Sequence, residues 1–452
     1  MTSSTRKLVC IIILLVYGLS LQAQPYFKAV QENIADRLAE GNILGVSIAY
    51  IYPDGRTRFI LRGSLSPKRS KTITKNTIFE IGSISKTFTA LMMIKMAEEG
   101  AFSLDTPIET LLPNSVNMPA FEDKKITLQH LATHTAGLPS VPFNMSPSDP
   151  LNPYADYTVK QMYEFLNEYE LTAAPGSNFA YSNLELGLLG HILELQSGKS
   201  YEQLLQQYIT GPLEMNDTGI AISAQKQARF AAPYNYGEDA KHWDIPTLAG
   251  AGAIRSTTED MATYMKAQMG LQESDLKSAI NKTHQISFDT SKSPAIGLGW
   301  FYSTQQDTII WHNGGTGGFK SFAGLNKEEG TAIVVLSNGT ESVDDIGLHL
   351  LDERHPLKKV RTTVTVDSST LDSYTGTYQI TAAFSITVTK EGDQLMTQAT
   401  GQQKFPVYPE SETKFFLKVV DAQIEFIPDE NGNFIKLKLY QGGRVLEGKR
   451  VE

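Results

Sequence analysis

FEIGSISKTFTA (Phe79–Ala90) places a lysine, Lys86, inside a run of small and apolar residues with the pattern of a buried helix start. An ammonium ion out of water is costly unless it is paired or made neutral. Ser83 lies three residues before Lys86, and residues three apart share one face of a helix. Because burial favours the neutral amine, Lys86 can accept the hydroxyl proton of Ser83. The stretch therefore predicts a nucleophilic serine with a lysine base.

The Ser-x-x-Lys spacing is not specific by itself, since a serine at a helix start is commonly only a cap. The same spacing occurs at four other serines, Ser4, Ser223, Ser274 and Ser411. Ser83 differs from these because it begins a strongly apolar helix directly after a β-rich run. That helix continues as LMMIKMAEEG, with Gly100 as its predicted end.

A second motif, FAYSNLELG, contains Tyr181 two residues before Asn183, at a turn entering a predicted helix. No other Tyr-x-Asn occurs in the chain. A tyrosine beside a lysine ammonium can shift towards phenolate, act as a base and return the proton to a leaving group. An asparagine amide can hold both Lys86 and a substrate carbonyl. The alternative is a buried tyrosine followed by a helix-capping asparagine.

A third motif is TIIWHNGGTGGFKSF, in which His312, Asn313 and Gly314 end a β-rich run before a glycine-rich bend. A glycine-rich strand edge lets backbone N–H groups approach a ligand closely, as an oxyanion hole requires. The alternative is a glycine loop with an incidental histidine.

The order of the three motifs resembles that of the serine β-lactamase and penicillin-binding-protein superfamily. The motifs are Ser-x-x-Lys, then Tyr-x-Asn, then a basic residue followed by x-Gly. The segment ITLQHLATHTAGLP, residues 126–139, is also similar to its class C branch and to related D-aminopeptidases and esterases. The resemblance covers roughly residues 28–355. It implies a mixed α/β (α+β) fold, in which an antiparallel sheet is flanked by helices and joined by a helical subdomain.

The resemblance further implies that Ser83 is the acylated nucleophile and that Lys86 and Tyr181 transfer its proton. The oxyanion hole would combine the N–H of Ser83 with an N–H after the histidine. The substrate-binding residues implied in this way are Asn183, His312, Asn313, Gly314, Gly315 and Thr316, with Gly315 or Thr316 as the second oxyanion donor.

The third motif departs from the lysine-Thr-Gly of class C β-lactamases, because His312 stands in place of the lysine. In this respect the chain is closer to the D-Ala-D-Ala peptidase, D-aminopeptidase and esterase-like members. A neutral imidazole binds a carboxylate less firmly than a fixed ammonium does. The substitution therefore argues against efficient β-lactam hydrolysis.

We predict no metal site and no cofactor. His130 and His134 are four residues apart, as in zinc-binding helices, but Leu131 stands where the glutamate of that motif would be. In the resembling family this segment is structural. The three tryptophans, Trp243, Trp300 and Trp311, are predicted to lie in the core or in a pocket wall.

Composition excludes other classes of protein. The chain has 452 residues, a formal net charge of −9 and no cluster of lysine and arginine, which argues against a nucleic-acid partner. Its hydrophobic content of 41% and charged content of 20% indicate packed soluble domains. The partner we expect is a small-molecule or peptide substrate.

Residues 1–23 are predicted to be a signal peptide. Arg6 and Lys7 precede an apolar run that is too short to cross a bilayer comfortably, and Ala23 offers a small residue before the cleavage point. The alternative is an uncleaved membrane anchor. Cleavage would remove the single cysteine, Cys10, and leave a periplasmic or secreted chain with no disulfide, no thiol chemistry and no stable membrane span.

Two further domains are expected. Residues 24–358 form the hydrolase domain, which opens on a hairpin at 45–63 and ends in β-rich runs that complete an antiparallel sheet. Residues 365–452 alternate short β-rich runs with turns and predict an antiparallel β domain, either a small barrel or a sandwich. That module could tether the enzyme, support self-association or cover one rim of the active site.

The favoured function is an exported serine hydrolase that acts through an acyl-enzyme on amide bonds, such as those of β-lactams or D-Ala-type peptides. One alternative is a carboxylesterase of the same fold. Another is a penicillin-binding receptor that is acylated without turnover. A receptor needs a membrane span to transmit its signal, and the sequence after the N-terminal segment contains no obvious span.

Overall fold

A computed structural model describes residues 25–290, 293–303 and 309–451 of the chain. The predicted signal peptide at 1–23 lies outside the described residues. The chain divides into two compact units, the first ending at Lys358 and the second beginning at Lys359. Within the described ranges, none of the helices is both long and apolar enough to cross a membrane.

The first unit is built on one large antiparallel sheet. The strands described in this unit are β1 (Ile43–Ile51), β2 (Thr57–Ser66), β3 (Arg69–Thr72), β4 (Ile78–Glu80), β5 (Arg255–Thr257), β6 (Phe288–Thr290), β7 (Ser293–Ile296), β8 (Phe301–Tyr302), β9 (Ile309–Gly315), β10 (Lys320–Asn326) and β11 (Thr331–Gly339). Nine of them form the order β3-β2-β1-β11-β10-β9-β8-β7-β6, while β4 and β5 form a separate pair. Since β1 pairs with β11, the prediction of a sheet built from both ends of the unit is confirmed.

The predicted hairpin is β1 and β2, which pair antiparallel around the turn Pro53-Asp54-Gly55. Gly55 has φ +81° and donates its N–H to the Tyr52 carbonyl, a conformation that glycine adopts without strain. Strand β1 is buried along almost its whole length because both of its faces are covered. Its near-continuous apolar sequence fits that position, as in other sheets covered on both sides.

The described residues of the first unit form ten α-helices, and some of these cover the two faces of the sheet. The ten helices are α1 (Pro25–Ala39), α2 (Ser85–Glu98), α3 (Leu128–Ala132), α4 (Val159–Glu168), α5 (Asn183–Ser197), α6 (Tyr201–Leu205), α7 (Ala249–Gly252), α8 (Thr258–Gln268), α9 (Lys277–Thr283) and α10 (Asp344–Leu351). Helices α1 and α10 share one apolar cluster with β1 and β10. On the other face, α8 packs against β1 and β11, and the larger cluster there also contains α2 and α5.

Helix α2 is central to that larger cluster, and most of its residues are buried. A helix that is apolar around its whole circumference belongs inside a protein. The predicted end is confirmed, because Gly100 directly follows the C-cap residue with φ +87°. The α-helix itself begins at Ser85, and Ser83 lies in a preceding 3₁₀ turn, Gly82–Ile84.

The segment ITLQHLATHTAGLP, residues 126–139, has the pattern of a short helix ended by Gly137 and Pro139, but the helix in the structure is shorter. Helix α3 covers only Leu128–Ala132, and Thr127 caps it by accepting the backbone N–H of His130. The chain then turns sharply through His134, at φ +57°, and Gly137, at φ +85°. These left-handed residues end the helix before its apolar pattern ends.

The second unit is a closed antiparallel barrel. Its strands are β12 (Gly376–Thr381), β13 (Phe384–Glu391), β14 (Gln394–Ala399), β15 (Lys404–Pro409), β16 (Lys414–Phe416), β17 (Ala422–Pro428), β18 (Phe434–Gln441) and β19 (Arg444–Arg450), and a short helix, α11 (Ser368–Ser373), precedes them. Pairing of β12 with β19 closes the barrel. Of the two predicted architectures, barrel and sandwich, the barrel is confirmed. Its core includes Tyr374, whose ring stacks on Phe426 at 4.4 Å.

Candidate active site

Ser83 lies where the first and third motifs meet. The preceding Gly82 has φ +51°, and a Cβ at that position would lie 2.6 Å from the Gly315 backbone nitrogen. A glycine is therefore required at 82 both for the backbone conformation and for the close approach. This packing brings the end of β9 against the turn that carries Ser83.

Lys86 is fully buried, and its amine has three oxygen neighbours. Nζ lies 2.9 Å from Ser83 Oγ, 2.8 Å from Asn183 Oδ1 and 2.8 Å from the Ala251 carbonyl oxygen. Burial lowers the pKa of Lys86 well below its ordinary value. A neutral amine has two N–H groups and one lone pair, while Asn183 Oδ1 and Ala251 O can only accept. The lone pair of the neutral amine is then left for the Ser83 hydroxyl proton.

Tyr181 forms a group of three with Ser83 and Lys86. Lys86 Nζ lies 4.8 Å from the centroid of its ring. Burial raises the pKa of Tyr181, and an interaction with the Ser83 hydroxyl acts in the opposite direction. The phenol is therefore neutral in the resting site. The sequence had suggested a phenolate held by a lysine ammonium, but burial disfavours the charged form of both groups.

The turn that carries Tyr181 is fixed by helix α5, which begins at Asn183. Ser182 caps α5, since its hydroxyl accepts the Glu185 N–H and donates to the Pro139 carbonyl at 2.6 Å. Asn183 is therefore not the cap. Its side chain faces Lys86, and its Nδ2 donates to the Tyr154 hydroxyl at 3.2 Å.

His134 holds the backbone on both sides of Tyr181. Its Nδ1 accepts the Ser182 N–H at 3.1 Å, and its carbonyl accepts the Ala180 N–H at 2.9 Å. The sequence analysis assigned the segment of this histidine a structural role and predicted no metal site with His130. Its positive φ, on which the contact depends, has no signature in a single sequence.

Glu185 was missed by the sequence reading. It is fully buried in α5, and its carboxylate accepts the backbone N–H groups of Ala136 and Leu138. Burial raises its pKa well above the ordinary value, although these backbone hydrogen bonds act against that shift. The sequence could have indicated this role, because Glu185 stands within the apolar run NLELGLLGHIL. A carboxylate buried with such a run needs hydrogen-bond partners.

His312 faces the group formed by Lys86 and Tyr181, with its ring centroid 6.2 Å from that of Tyr181. Its Nδ1 lies 2.6 Å from the Asn313 carbonyl, which can only accept, so Nδ1 carries the proton. Its buried Nε2 has no hydrogen-bond partner in the described part of the chain. Burial lowers the pKa of His312 to about 3. The imidazole is therefore neutral at physiological pH.

Asn313 lies outside the cleft. Successive side chains of a strand alternate between the two faces of a sheet. Its Nδ2 donates to Asp344 Oδ2 at 2.7 Å, at the start of α10 and on the face opposite His312. The predicted role of Asn313 in substrate binding does not fit this placement.

Gly314, Gly315 and Thr316 have different surroundings. A Cβ at Gly314 would lie 2.0 Å from the Ile81 carbonyl oxygen, so this glycine lets β9 pack against the turn before Ser83. The Thr316 N–H already donates to the Phe319 carbonyl at 3.1 Å. Of the two predicted oxyanion donors, Gly315 is therefore the better placed.

A small cleft opens in front of Ser83. Its lining consists of Gly82, Ser83, Tyr154, Asn183, Trp243, Ile245, Ala251, Gly252 and Gly315. None of these described lining residues carries a charge. Tyr154 and Trp243 form one wall, with ring centroids 5.4 Å apart. Tyr154 comes from the long loop after α3 and could not be singled out from its sequence.

Comparison with known proteins yields matches over both units. A family model described as "Beta-lactamase" matches residues 30–354, and one described as "Domain of unknown function (DUF3471)" matches residues 360–450. The chain is 31% identical over 326 residues to the D-alanyl-D-alanine-carboxypeptidase/endopeptidase AmpH of Escherichia coli (strain K12), which covers 67% of this chain and 83% of that protein. It is 26% identical over 421 residues to penicillin-binding protein 4* of Bacillus subtilis (strain 168), over 84% of this chain and 89% of that one.

Solved structures share the fold. The octameric penicillin-binding protein homologue from Pyrococcus abyssi aligns with a TM-score of 0.63 and 25% identity, over 93% of this chain and 99% of its own. A class C β-lactamase from Rhodobacter sphaeroides aligns with a TM-score of 0.61 and 26% identity, over 69% of this chain and 94% of its own. The first of these alignments extends over most of the chain, whereas the second covers a smaller share.

Proposed function

We propose, from the premise that this chain belongs to the β-lactamase family of serine hydrolases, that it is an exported enzyme that cleaves amide bonds through an acyl-enzyme on Ser83. The observation that carries the proposal is the buried contact of Lys86 Nζ with Ser83 Oγ at 2.9 Å. A buried lysine whose pKa is lowered has the property that a general base needs.

Acylation would begin with transfer of the Ser83 hydroxyl proton to the neutral Lys86 amine as Oγ attacks the substrate carbonyl. The C–N bond is still intact at this stage, and the carbonyl oxygen becomes an oxyanion. The backbone N–H groups of Ser83 and Gly315 would stabilise it, because they border the same cleft. The close packing of Gly315 against Gly82 supports its assignment as the second donor.

Collapse of this intermediate would break the C–N bond, and the leaving amine then needs a proton. We assign this transfer to Tyr181, because Lys86 Nζ lies 4.8 Å from the centroid of its ring and its hydroxyl interacts with that of Ser83. The phenol gives its proton to the amine and takes the proton of the Lys86 ammonium. Deacylation would run the same path in reverse, with water in place of the amine.

The substrates we propose are D-Ala-type peptides before β-lactams. Class C β-lactamases present a lysine at the third motif, and the residue here is the neutral His312. The relative from Escherichia coli is named for carboxypeptidase and endopeptidase action on D-alanyl-D-alanine, which supports the same substrate class. A carboxylesterase is the second candidate, because the described lining of the cleft is uncharged and aromatic on one side.

The test compares Ser83→Ala with Ser85→Ala. Ser85 is a matched control because its buried hydroxyl accepts the Ile254 N–H on the other side of the helix start. Steady-state hydrolysis of nitrocefin, a D-Ala-D-Ala peptide and a p-nitrophenyl ester is measured for each. We expect Ser83→Ala to lose all turnover and all fluorophosphonate labelling. Mass spectrometry that places the adduct on another serine would contradict the assignment.

We also propose the division into a signal peptide at 1–23, a catalytic domain at 24–358 and a β domain at 365–452. The two family models meet between residues 354 and 360, which supports the second boundary. The three motifs all precede that boundary, so the barrel carries none of the proposed catalytic groups. Self-association is a reasonable property to measure, since the Pyrococcus homologue is described as octameric.

A further inference from the structure

The start of helix α5 has the S-x-x-E pattern of a capping box, SNLE at 182–185. In a capping box the serine hydroxyl accepts the N–H of the glutamate, and the glutamate side chain accepts the N–H of the serine. The first contact is present, with the Glu185 N–H donating to Ser182 Oγ at 3.1 Å. The Ser182 N–H donates instead to His134 Nδ1, and the Glu185 carboxylate accepts the N–H groups of Ala136 and Leu138. The box is therefore open, and the segment 134–138 takes the place of its second contact.

This open capping box has two features that a closed one does not need. Glu185 is fully buried, and burying a carboxylate is costly unless hydrogen bonds compensate it. His134 has φ +57°, a left-handed conformation that residues other than glycine seldom adopt. Such features persist where the surrounding structure requires them, and they concentrate at functional sites. They indicate a role beyond capping the helix.

The residue that the open capping box holds is Tyr181. The His134 carbonyl accepts the Ala180 N–H at 2.9 Å and its imidazole accepts the Ser182 N–H at 3.1 Å, so one residue fixes both neighbours of Tyr181. The two rings also pack together, with centroids 4.5 Å apart. Because Nδ1 accepts a hydrogen bond it carries no proton, and burial lowers the pKa of His134 well below its ordinary value. The imidazole therefore keeps this acceptor at physiological pH.

We propose that His134 and Glu185 are positioning residues that hold the Tyr181 hydroxyl in line for proton transfer to the leaving amine. This inference rests on the proposed acyl-enzyme function, in which Tyr181 passes that proton. His134 acts on the backbone and ring of Tyr181, and Glu185 acts one step further away by holding the segment that follows His134. Neither is among the described residues that line the cleft, so both act through Tyr181 and not on the substrate.

The position of Tyr181 matters most when the leaving group needs a proton. An amine is too basic to leave as an anion, so cleavage of a peptide bond requires the proton that Tyr181 passes. A p-nitrophenolate is a stable anion and leaves without it. Loss of alignment should therefore slow acylation by a peptide and spare acylation by such an ester, whereas a general weakening of the fold would slow both.

The test measures single-turnover acylation by a D-Ala-D-Ala peptide and by the p-nitrophenyl ester of the same acyl group. For His134→Gly, we expect the rate with the peptide to fall about ten- to a hundredfold, the range for loss of a supporting hydrogen bond or a misplacement of about 1 Å. The rate with the ester should stay at the wild-type value. Glycine adopts φ +57° without strain, so the loss reports on the imidazole and not on the backbone. His134→Asn keeps an acceptor in place of Nδ1 and tolerates the same backbone, so its loss should be smaller.

Glu185 is tested in the same way. Glu185→Leu should lose rate with the peptide only, and Glu185→Gln, which keeps one oxygen acceptor, should lose less. His191→Phe is the matched control, because His191 is a buried histidine of the same helix whose Nε2 contacts the Tyr163 hydroxyl at 2.7 Å. This control should keep both rates.

A double variant tests whether His134 acts through Tyr181. In the Tyr181→Phe background, His134→Gly should cause no further loss with the peptide, since the proton path is already broken. A further loss as large as that in the wild-type background would overturn the inference, and so would equal losses with peptide and ester. A wild-type rate of His134→Gly or of Glu185→Leu with the peptide would overturn the role of that residue.

The wild-type protein separates this inference from the function on which it rests. Ser83-dependent acylation by the ester but not by the peptide would leave a carboxylesterase and overturn the role proposed for His134 and Glu185. No Ser83-dependent acylation by either substrate would overturn the proposed function and this inference together.

Discussion

Gly82→Ala should separate catalysis from stability at the proposed oxyanion hole. Position 82 has φ +51°, a left-handed conformation that costs an alanine roughly 1–2 kcal/mol. The new Cβ would lie 2.6 Å from the Gly315 nitrogen and 2.9 Å from its oxygen. Both distances are shorter than ordinary contacts, so the end of β9 must shift by several tenths of an ångström.

That shift moves one of the two proposed oxyanion donors. A displacement of about 1 Å at a reacting centre costs on the order of 10²-fold in rate, and loss of an oxyanion donor costs about 10²–10³-fold. We therefore expect the acylation rate to fall by about 10²–10³-fold. The free energy of unfolding should fall by about 2–5 kcal/mol, the sum of about 1–2 kcal/mol of backbone strain and about 1–3 kcal/mol of local repacking.

Gly198→Ala is the matched control. Gly198 ends α5 with φ +68°, and a Cβ there meets no atom within 4 Å. It shares the backbone strain of position 82 without the clash. The rate of fluorophosphonate labelling and the thermal melt are measured for both variants. Wild-type labelling by Gly82→Ala, or an equal loss of labelling in Gly198→Ala, would refute the argument.

Three other outcomes are expected. Lys86→Met and Tyr181→Phe should each slow acylation by roughly 10²–10⁴-fold. The rate loss of the double variant should be smaller than the product of the two single losses, because both residues act on one proton path. A double loss equal to that product would argue for separate roles. The pKa of His312 is about 3 in the folded chain, whereas its ordinary value is 6.5. Between these two pH values the unfolded state binds more protons than the folded state, so the free energy of unfolding decreases as the pH falls from 6.5 towards 3. Denaturant melts at pH 7 and pH 4 should show a smaller loss for His312→Phe than for the wild type, and equal losses would rule out this contribution. A chain ending near Thr365 should stay folded and be acylated, as its melt and labelling burst would show; a folded but unlabelled product would mean that the barrel contributes to the site.

The sequence predicted those parts of the fold and of the site that depend on residues close together in the chain. Ser83 and Lys86 are three residues apart, so a helical turn was enough to predict their contact, and the structure has it at 2.9 Å. The hairpin of β1 and β2 followed from its turn residues in the same way. The end of α2 at Gly100 needed only the freedom of glycine to adopt positive φ.

Features set by distant packing were not predictable. The side on which Asn313 projects depends on the register of β9 against β10, and a single sequence does not specify that register. His134 acts through a left-handed backbone conformation that its apolar helical surroundings concealed. The wall formed by Tyr154 and Trp243 joins two long loops that have no periodicity to interpret.

The pairing of β1 with β11 sets a condition on biosynthesis. Strand β1 is among the first parts of the described chain to leave the ribosome, and its partner on one side, Thr331–Gly339, is among the last of the first unit. At about 5–20 residues per second, the intervening chain takes on the order of tens of seconds to synthesise. During that interval a long apolar strand has only β2 beside it and one edge unpaired. Until the far end of the sheet is made, an incomplete chain therefore presents the unpaired edge of Ile43–Ile51, at which strands of other chains can pair.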